Sequence, residues 1–151
     1  MRGYFAIGIW HGKHAVNLGT LWRSAQGFGA AFVFTIGRRY KKQCSDTMAA
    51  VKHLPLLHFE SLADLYAHLP YNCQLVGVEL CETAGSLLSF EHPERCAYLL
   101  GAEDHGLSPE TLGECHSIVR IPDVGSLNVA VAGSIVMFHR TWSRHQGQKE
   151  I

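Results

Sequence analysis

The amino-acid sequence predicts an α/β fold, a mostly parallel sheet with helices on both faces, in a single domain spanning residues 1–151. Two observations carry that expectation. Short apolar runs of strand length alternate with longer segments whose apolar residues recur at helical spacing. The strand-like runs are mostly unbroken by polar residues, as strands covered on both faces are. Length agrees, because 151 residues can bury one sizeable core and are too few for two.

Residues 4–10 (Tyr-Phe-Ala-Ile-Gly-Ile-Trp) read as the first buried strand. Residues 16–28 set Leu18, Leu21, Trp22, Ala25 and Phe28 at helical spacing, with Gly29 as a stop. Residues 30–36 form a second strand ended by Gly37, followed by a basic loop and a short helical stretch near 46–52. Residues 55–59 are a short strand. Ser61 and Asp64 make a capping pattern for a helix with Leu62, Leu65, Tyr66 and Leu69 on one face, and Pro70 ends it. Residues 73–80, 96–100 and 117–121 are strands, 109–115 a short helix and 127–142 a long one. The polar tail from about 145 is expected to fray, and no internal repeat or linker interrupts the series.

Apolar residues make up 47% and charged residues 17% of the chain, so disorder is excluded. No apolar run is long enough to span a membrane, and a strand beginning at Tyr4 leaves no room for a signal peptide. The five cysteines (Cys44, Cys73, Cys81, Cys96, Cys115) are odd in number and scattered, without a Cys-x-x-Cys pair. They read as reduced, mostly buried thiols of a cytoplasmic protein rather than as disulfides or a zinc site. Formal net charge is zero, but its distribution is uneven. Residues 1–52 hold eight bases and one acid, residues 53–116 one base and ten acids, and residues 117–151 four bases and two acids. That asymmetry suits one anion-binding face, with ordinary solvated surface as the plainer alternative.

Three segments carry chemistry. Leu100, Gly101, Ala102, Glu103, Asp104, His105 and Gly106 follow a buried strand, where open α/β sheets bind ligands. The two glycines permit close backbone approach, although Gly-x-Glu-x-x-Gly lacks the second glycine of a dinucleotide fingerprint. Without a phosphate-binding loop, a nucleotide-dependent small-molecule enzyme is excluded. Glu103, Asp104 and His105 form one local turn with no convergent ligand from elsewhere, so no metal is expected. The second segment runs from Ile121 through Gly125, Ser126, Leu127 and Asn128 into the long helix. Ser126 is placed to cap that helix, which leaves Asn128 in its first turn without a structural task. The third is Asn17-Leu18-Gly19-Thr20-Leu21-Trp22-Arg23-Ser24, with Asn17 as helix cap and Arg23 in apolar surroundings that demand a partner. Glu103 is the expected partner. The ten histidines show no ligand-like spacing and read as surface or satisfied groups.

In this order the three segments resemble the motifs of the SpoU/TrmH branch of the SPOUT RNA methyltransferases, over residues 7 to about 140. The resemblance implies a deep trefoil knot near the C-terminus. It also implies S-adenosylmethionine as cofactor, with transfer of its methyl group to a ribose 2'-hydroxyl of RNA. The residues it places in catalysis are Asn17, Arg23, Glu103, Ser126 and Asn128. Backbone groups around Val78, Glu79 and Leu80, Leu100 and Gly101, and Ile121, Ser126 and Leu127 would hold the cofactor. This chain departs from the family pattern by a shortened Gly125–Ser126 connection and by Asp123. Because a guanidinium stays protonated, Arg23 is better suited to clamp a phosphate and stabilise a developing alkoxide than to act as a base. Proton acceptance then falls to phosphate, Glu103 or water.

A small RNA enzyme gains a wider platform by pairing, so a homodimer is expected. Its interface would use the helices near Asn17 and Leu127, with Phe28, Met137 and Trp142 as apolar contributors. Lys13 and the cluster Arg38, Arg39, Tyr40, Lys41 and Lys42 are the expected RNA contacts, the tyrosine stacking on a base. Transfer RNA is the favoured substrate and ribosomal RNA the alternative. An inactive knotted RNA-binding or assembly module is the competing class of function.

Overall fold

A computed structural model describes residues 3–10, 12–37, 54–122 and 124–149. Its elements are β1 (Tyr4–Trp10), α1 (Ala15–Gly27), β2 (Phe32–Ile36), β3 (Leu56–Phe59), α2 (Leu62–His68), β4 (Gln74–Val78), β5 (Gly85–Ser86), β6 (Arg95–Leu100), α3 (Pro109–Gly113), β7 (Ser117–Arg120) and α4 (Val129–Lys149). A single 3-10 turn, Leu87–Ser89, follows β5. The strands form one seven-stranded sheet in the order β3-β2-β1-β6-β4-β7-β5. Every pairing is parallel, so all strands end on the same edge.

Alternation along the central strands divides the core in two. Phe5, Ile7 and Ile9 of β1, with Cys96, Tyr98 and Leu100 of β6, pack under α1 and α4. Ala6 of β1 and Ala97 and Leu99 of β6 face the opposite side, with Phe34, Phe59, Leu62, Leu65 and Leu75. The period of two places successive residues on opposite faces, and both faces are covered. On α4, Val129, Ala130, Val136, Met137 and Arg140 are all buried, a stripe at helical spacing. Gly133 lies in that stripe, where a Cβ would sit 2.5 Å from a terminal methyl of Leu21, so a larger residue there would require the Leu21 side chain to move.

Capping chemistry marks the short helices. Ser61 accepts the Asp64 N–H at 3.1 Å while Asp64 accepts the Glu60 N–H at 2.9 Å. Ser108 accepts the Thr111 N–H at 3.2 Å, with Pro109 in the first turn of α3. α4 runs as helix to Lys149, past residue 145 where the tail is expected to fray. The periodicity missed β5, which is two residues long. The four described cysteines are free thiols, Cys73 and Cys96 buried and Cys81 and Cys115 partly so. No helix among the described residues is long and apolar enough to cross a membrane.

Arg140 is the least expected core residue, only 2% exposed. Its guanidinium donates to the carbonyls of Pro93 at 2.7 Å and Glu94 at 2.9 Å and to the Tyr98 hydroxyl at 3.2 Å. It also lies 5.3 Å from the centre of the Phe5 ring. Beside it, His92 places Nδ1 2.6 Å from the Tyr98 hydroxyl and Nε2 2.8 Å from Nδ1 of His139.

Burial, together with His139 and the charges of Arg140 and Arg144, pushes His92 down to about 3. The unfolded chain therefore takes up this proton before the folded one does. The contribution of neutral His92 is complete above the ordinary histidine value and is lost as pH falls from there towards 3. Urea unfolding should show stability falling across that window, and falling less steeply for His92→Gln. Equal slopes for the two proteins would refute the assignment.

Candidate functional site

The carboxyl ends of β4, β6 and β7 lie side by side because β4 pairs with both of the other strands. The loops leaving them enclose a cleft of about 260 Å³, near the lower end of small-molecule sites. All eight residues expected to hold a cofactor line it: Val78, Glu79, Leu80, Leu100, Gly101, Ile121, Ser126 and Leu127. Glu103 does so as well. Arg120, Val129 and Ala132 also line it and were not anticipated; their position at a strand end, or in the first turns of α4, was the available signal.

The loop after β6 is a tight turn. The N–H of Gly106 donates to the carbonyl of Ala102 at 3.0 Å, and these two residues form a β-bridge. Gly106 adopts φ +60°, in the left-handed region. Gly101 does not have positive φ. Its requirement is closeness, since a Cβ there would lie 2.4 Å from the Gly106 carbonyl carbon.

From this loop Glu103 reaches the start of α1. Its Oε1 accepts from Asn17 Nδ2 at 2.5 Å, and its Oε2 from the Lys13 N–H at 3.2 Å. Asn17 Oδ1 in turn accepts from Asn128 Nδ2 at 2.9 Å. Asn128 Oδ1 accepts the N–H groups of Ala130 at 2.9 Å and Val131 at 3.2 Å. Three segments separated by 86 and 111 positions thus share one chain of side-chain hydrogen bonds.

Two capping assignments change as a result. Asn128, not Ser126, caps α4, and Ser126 is exposed on the cleft wall. Asn17 does not cap α1 either, because His14 holds the cap position and Asn17 is buried within the first turn. Its amide is instead committed to Glu103 and Asn128.

Burial raises the Glu103 carboxyl, but the hydrogen bonds from Asn17, the loop backbone and Lys13 outweigh it and hold it below the usual range. The group is ionised at neutral pH and is a weak base. The Lys13 ammonium pairs with Asp104, whose carboxyl is lowered first by that hydrogen bond and then by the lysine charge.

The expected Arg23–Glu103 pair is absent. Arg23 is exposed and makes no hydrogen bond or ion pair with a described residue. Six residues of helix place it about 9 Å along the axis from Asn17 and about 240° around it, away from the cleft. Its neighbours Leu21, Trp22 and Ala25 point into the core on the other side of the helix. The exposed side of the α1–α4 pair carries large apolar residues beside Thr20 and Arg23, with Val16 70%, Val131 47%, Phe138 59% and Trp142 48% accessible. Met137, expected among the interface residues, is fully buried in the core, and Phe28 packs partly against the same cluster. Arg38, Arg39, Tyr40, Lys41 and Lys42 lie outside the described residues, as does Asp123.

The lining of the cleft sets what it can hold. Leu80, Val124 and Leu127 are exposed apolar residues on its wall, suited to the faces of a planar base. Its charged lining is Glu79, Glu103, Asp104 and Arg120, and His105 lines it as well. That set disfavours a polyphosphate and suits a ligand bearing positive charge.

Residues 5–138 match the sequence model of the SpoU rRNA Methylase family. A Staphylococcus aureus (strain COL) protein named for the TrmH family of tRNA/rRNA methyltransferases is 29% identical over 137 residues, 85% of this chain and 55% of that protein. The 23S rRNA (guanosine-2'-O-)-methyltransferase RlmB of Acinetobacter baylyi is 31% identical over 133 residues, 81% of this chain and 53% of that protein. The chain therefore spans about half the length of these curated relatives. Among solved structures, an AdoMet-bound rRNA methyltransferase from Sinorhizobium meliloti superposes with TM-score 0.83 at 24% identity, over 95% of this chain and 57% of that one. A structure described for the 2-OH methylation of C/U34 on tRNA gives 0.84 at 21% identity, over 97% of this chain and 99% of that one. At these identities the structural likeness is one of fold.

Proposed function

We propose, from the premise that this chain belongs to the SpoU rRNA methylase family, that it binds S-adenosylmethionine in the strand-end cleft and methylates a ribose 2'-hydroxyl of structured RNA. The observation that carries this reading is the hydrogen-bonded series Glu103–Asn17–Asn128, which ties the starts of two remote helices to Glu103 on the cleft wall. When bound, the cofactor supplies a methyl group already activated by its sulfonium centre.

The chain's own work is then positioning and charge. Backbone edges around Val78, Leu100 and Ile121, with the apolar walls of Leu80 and Leu127, hold a nucleoside. As the new C–O bond forms and the S–C bond breaks, the ribose hydroxyl gives up its proton. Glu103 is a poor acceptor for it, being held acidic with both oxygens engaged. A nearby phosphate or water takes it, and Arg23 steadies the phosphate and the developing negative charge.

Arg23 reaches a cleft only if a second copy brings one, which is why we favour a homodimer. The apolar side of α1 and α4, with Val16, Val131, Phe138 and Trp142, would be covered in it. Sedimentation at micromolar concentration should give a dimer, and Phe138→Asp should shift it to monomer with loss of methyl transfer. A stable wild-type monomer would contradict this reading.

Transfer RNA is favoured over ribosomal RNA, on the fold neighbour that matches along nearly the whole of both chains. The basic segment 38–42 supplies further contacts, so RNA affinity should fall steeply with salt. Calorimetry with S-adenosylmethionine, followed by transfer of labelled methyl to RNA, tests the function. A silent titration with retained RNA binding would leave an inactive RNA-binding module instead.

A further inference from the structure

We infer that the side chain of Glu79 is a positioning residue, a clamp that fixes the loop after β6 and thereby sets the shape of the cofactor cleft. This rests on the cofactor reading above for its functional consequence, but its geometry stands without it.

Glu79 is the first residue beyond β4. Its own N–H is anchored to the carbonyl of Val119 at 3.1 Å, which fixes its backbone to β7. Its carboxylate then spans two loops. Oε1 accepts the Leu80 N–H at 3.0 Å, and Oε2 accepts the Leu107 N–H at 2.7 Å, across 28 positions of sequence. Both are charge-assisted bonds from backbone donors, the stronger kind.

The carboxylate also occupies the space above Gly106 where a side chain would stand. A Cβ on Gly106 would lie 2.3 Å from Glu79 Oε2 and 3.0 Å from its Cδ. On the opposite side, the backbone of Gly106 fills the space of a Cβ on Gly101, 2.4 Å away. Gly101, Gly106 and Glu79 therefore form a stack of three layers with no room for another carbon. The same loop is held from its far side by Asn17 and Lys13, through Glu103. Gripped from both sides, the loop presents Ala102 to Gly106 to the cleft at a fixed distance from β4. Losing the Glu79 grip would free the wall of the cleft while leaving the pairing of the sheet intact.

Glu79→Gln tests this in the full chain, since it keeps the shape but puts an NH2 against one of the two N–H donors. Amide hydrogen exchange without ligand should be faster at Leu107 in the variant, with the β6 amides unchanged. Calorimetry should show affinity for S-adenosylmethionine and S-adenosylhomocysteine reduced together, by about tenfold, the effect of losing one charge-assisted bond. KM for the cofactor should rise correspondingly, with a much smaller change in kcat. Unchanged exchange at Leu107 would overturn the clamp. Loss of affinity confined to S-adenosylmethionine would also overturn it, since that is the signature of direct contact with the sulfonium charge. If wild type itself titrates silently, the cofactor reading fails, and the exchange measurement still judges the clamp.

Discussion

Gly101→Ala is expected to lose cofactor binding almost as completely as Gly101→Val, with affinity down roughly a hundredfold or more in both. The first added carbon is already the damaging one. A Cβ at residue 101 would lie 2.4 Å from the Gly106 carbonyl carbon, 2.6 Å from its Cα and 2.7 Å from the Leu107 nitrogen. All three are backbone atoms, so no side chain can rotate away. The turn must open, breaking the Gly106–Ala102 bond and pulling Leu107 from Glu79. Overpacking of this kind costs about 1–3 kcal/mol, or roughly 2–12 °C in melting temperature for a chain of this length. Calorimetry and thermal unfolding of the two variants decide the matter. If alanine binds normally and only valine fails, the glycine serves ligand space and not closure of the loop.

Arg140→Ala should be the most destabilising single change in the molecule, at about 3–5 kcal/mol. The carbonyls of Pro93 and Glu94 would lose their donor, the Tyr98 hydroxyl would lose a partner, and a cavity would open beside Phe5. Against a typical total stability of about 5–15 kcal/mol, that is a large share. Arg140→Lys should recover part of the loss, because an ammonium keeps the charge but cannot reach every acceptor from one position. Denaturant unfolding measures both. A loss below about 1 kcal/mol for alanine would mean that water or a rearranged loop replaces the guanidinium.

Much of the fold was legible because local pattern and tertiary burial agree. The apolar runs in β1, β2, β4 and β6 sit in the core as their composition requires. Ser61 caps its helix with the partner its sequence spacing indicated. The residues lining the strand-end cleft were also legible, since parallel strands direct their following loops to one edge.

Side-chain partnership was less so. Ser126 and Asn128 are both good caps by type, and only the position where α4 begins selects Asn128. Asn17 looked like a cap because its helix has one polar residue near its start, but its amide was needed 86 positions away. Arg23 looked buried because its sequence neighbours are apolar, whereas helical rotation turns it outward.

What the sequence determined by itself, then, is which of the longer segments are strand or helix and which strand-end loops line the cleft. These follow from hydrophobic period and turn residues, both properties of a few consecutive positions. Tertiary structure alone decided the strand order β3-β2-β1-β6-β4-β7-β5, the burial of Arg140 against Pro93 and Glu94, and the grip of Glu79 on Leu107. Each depends on groups far apart in the chain whose pairing leaves no periodic trace. A buried arginine or a carboxylate beside a glycine is stable only where the rest of the fold has already brought its acceptors or donors within about 3 Å.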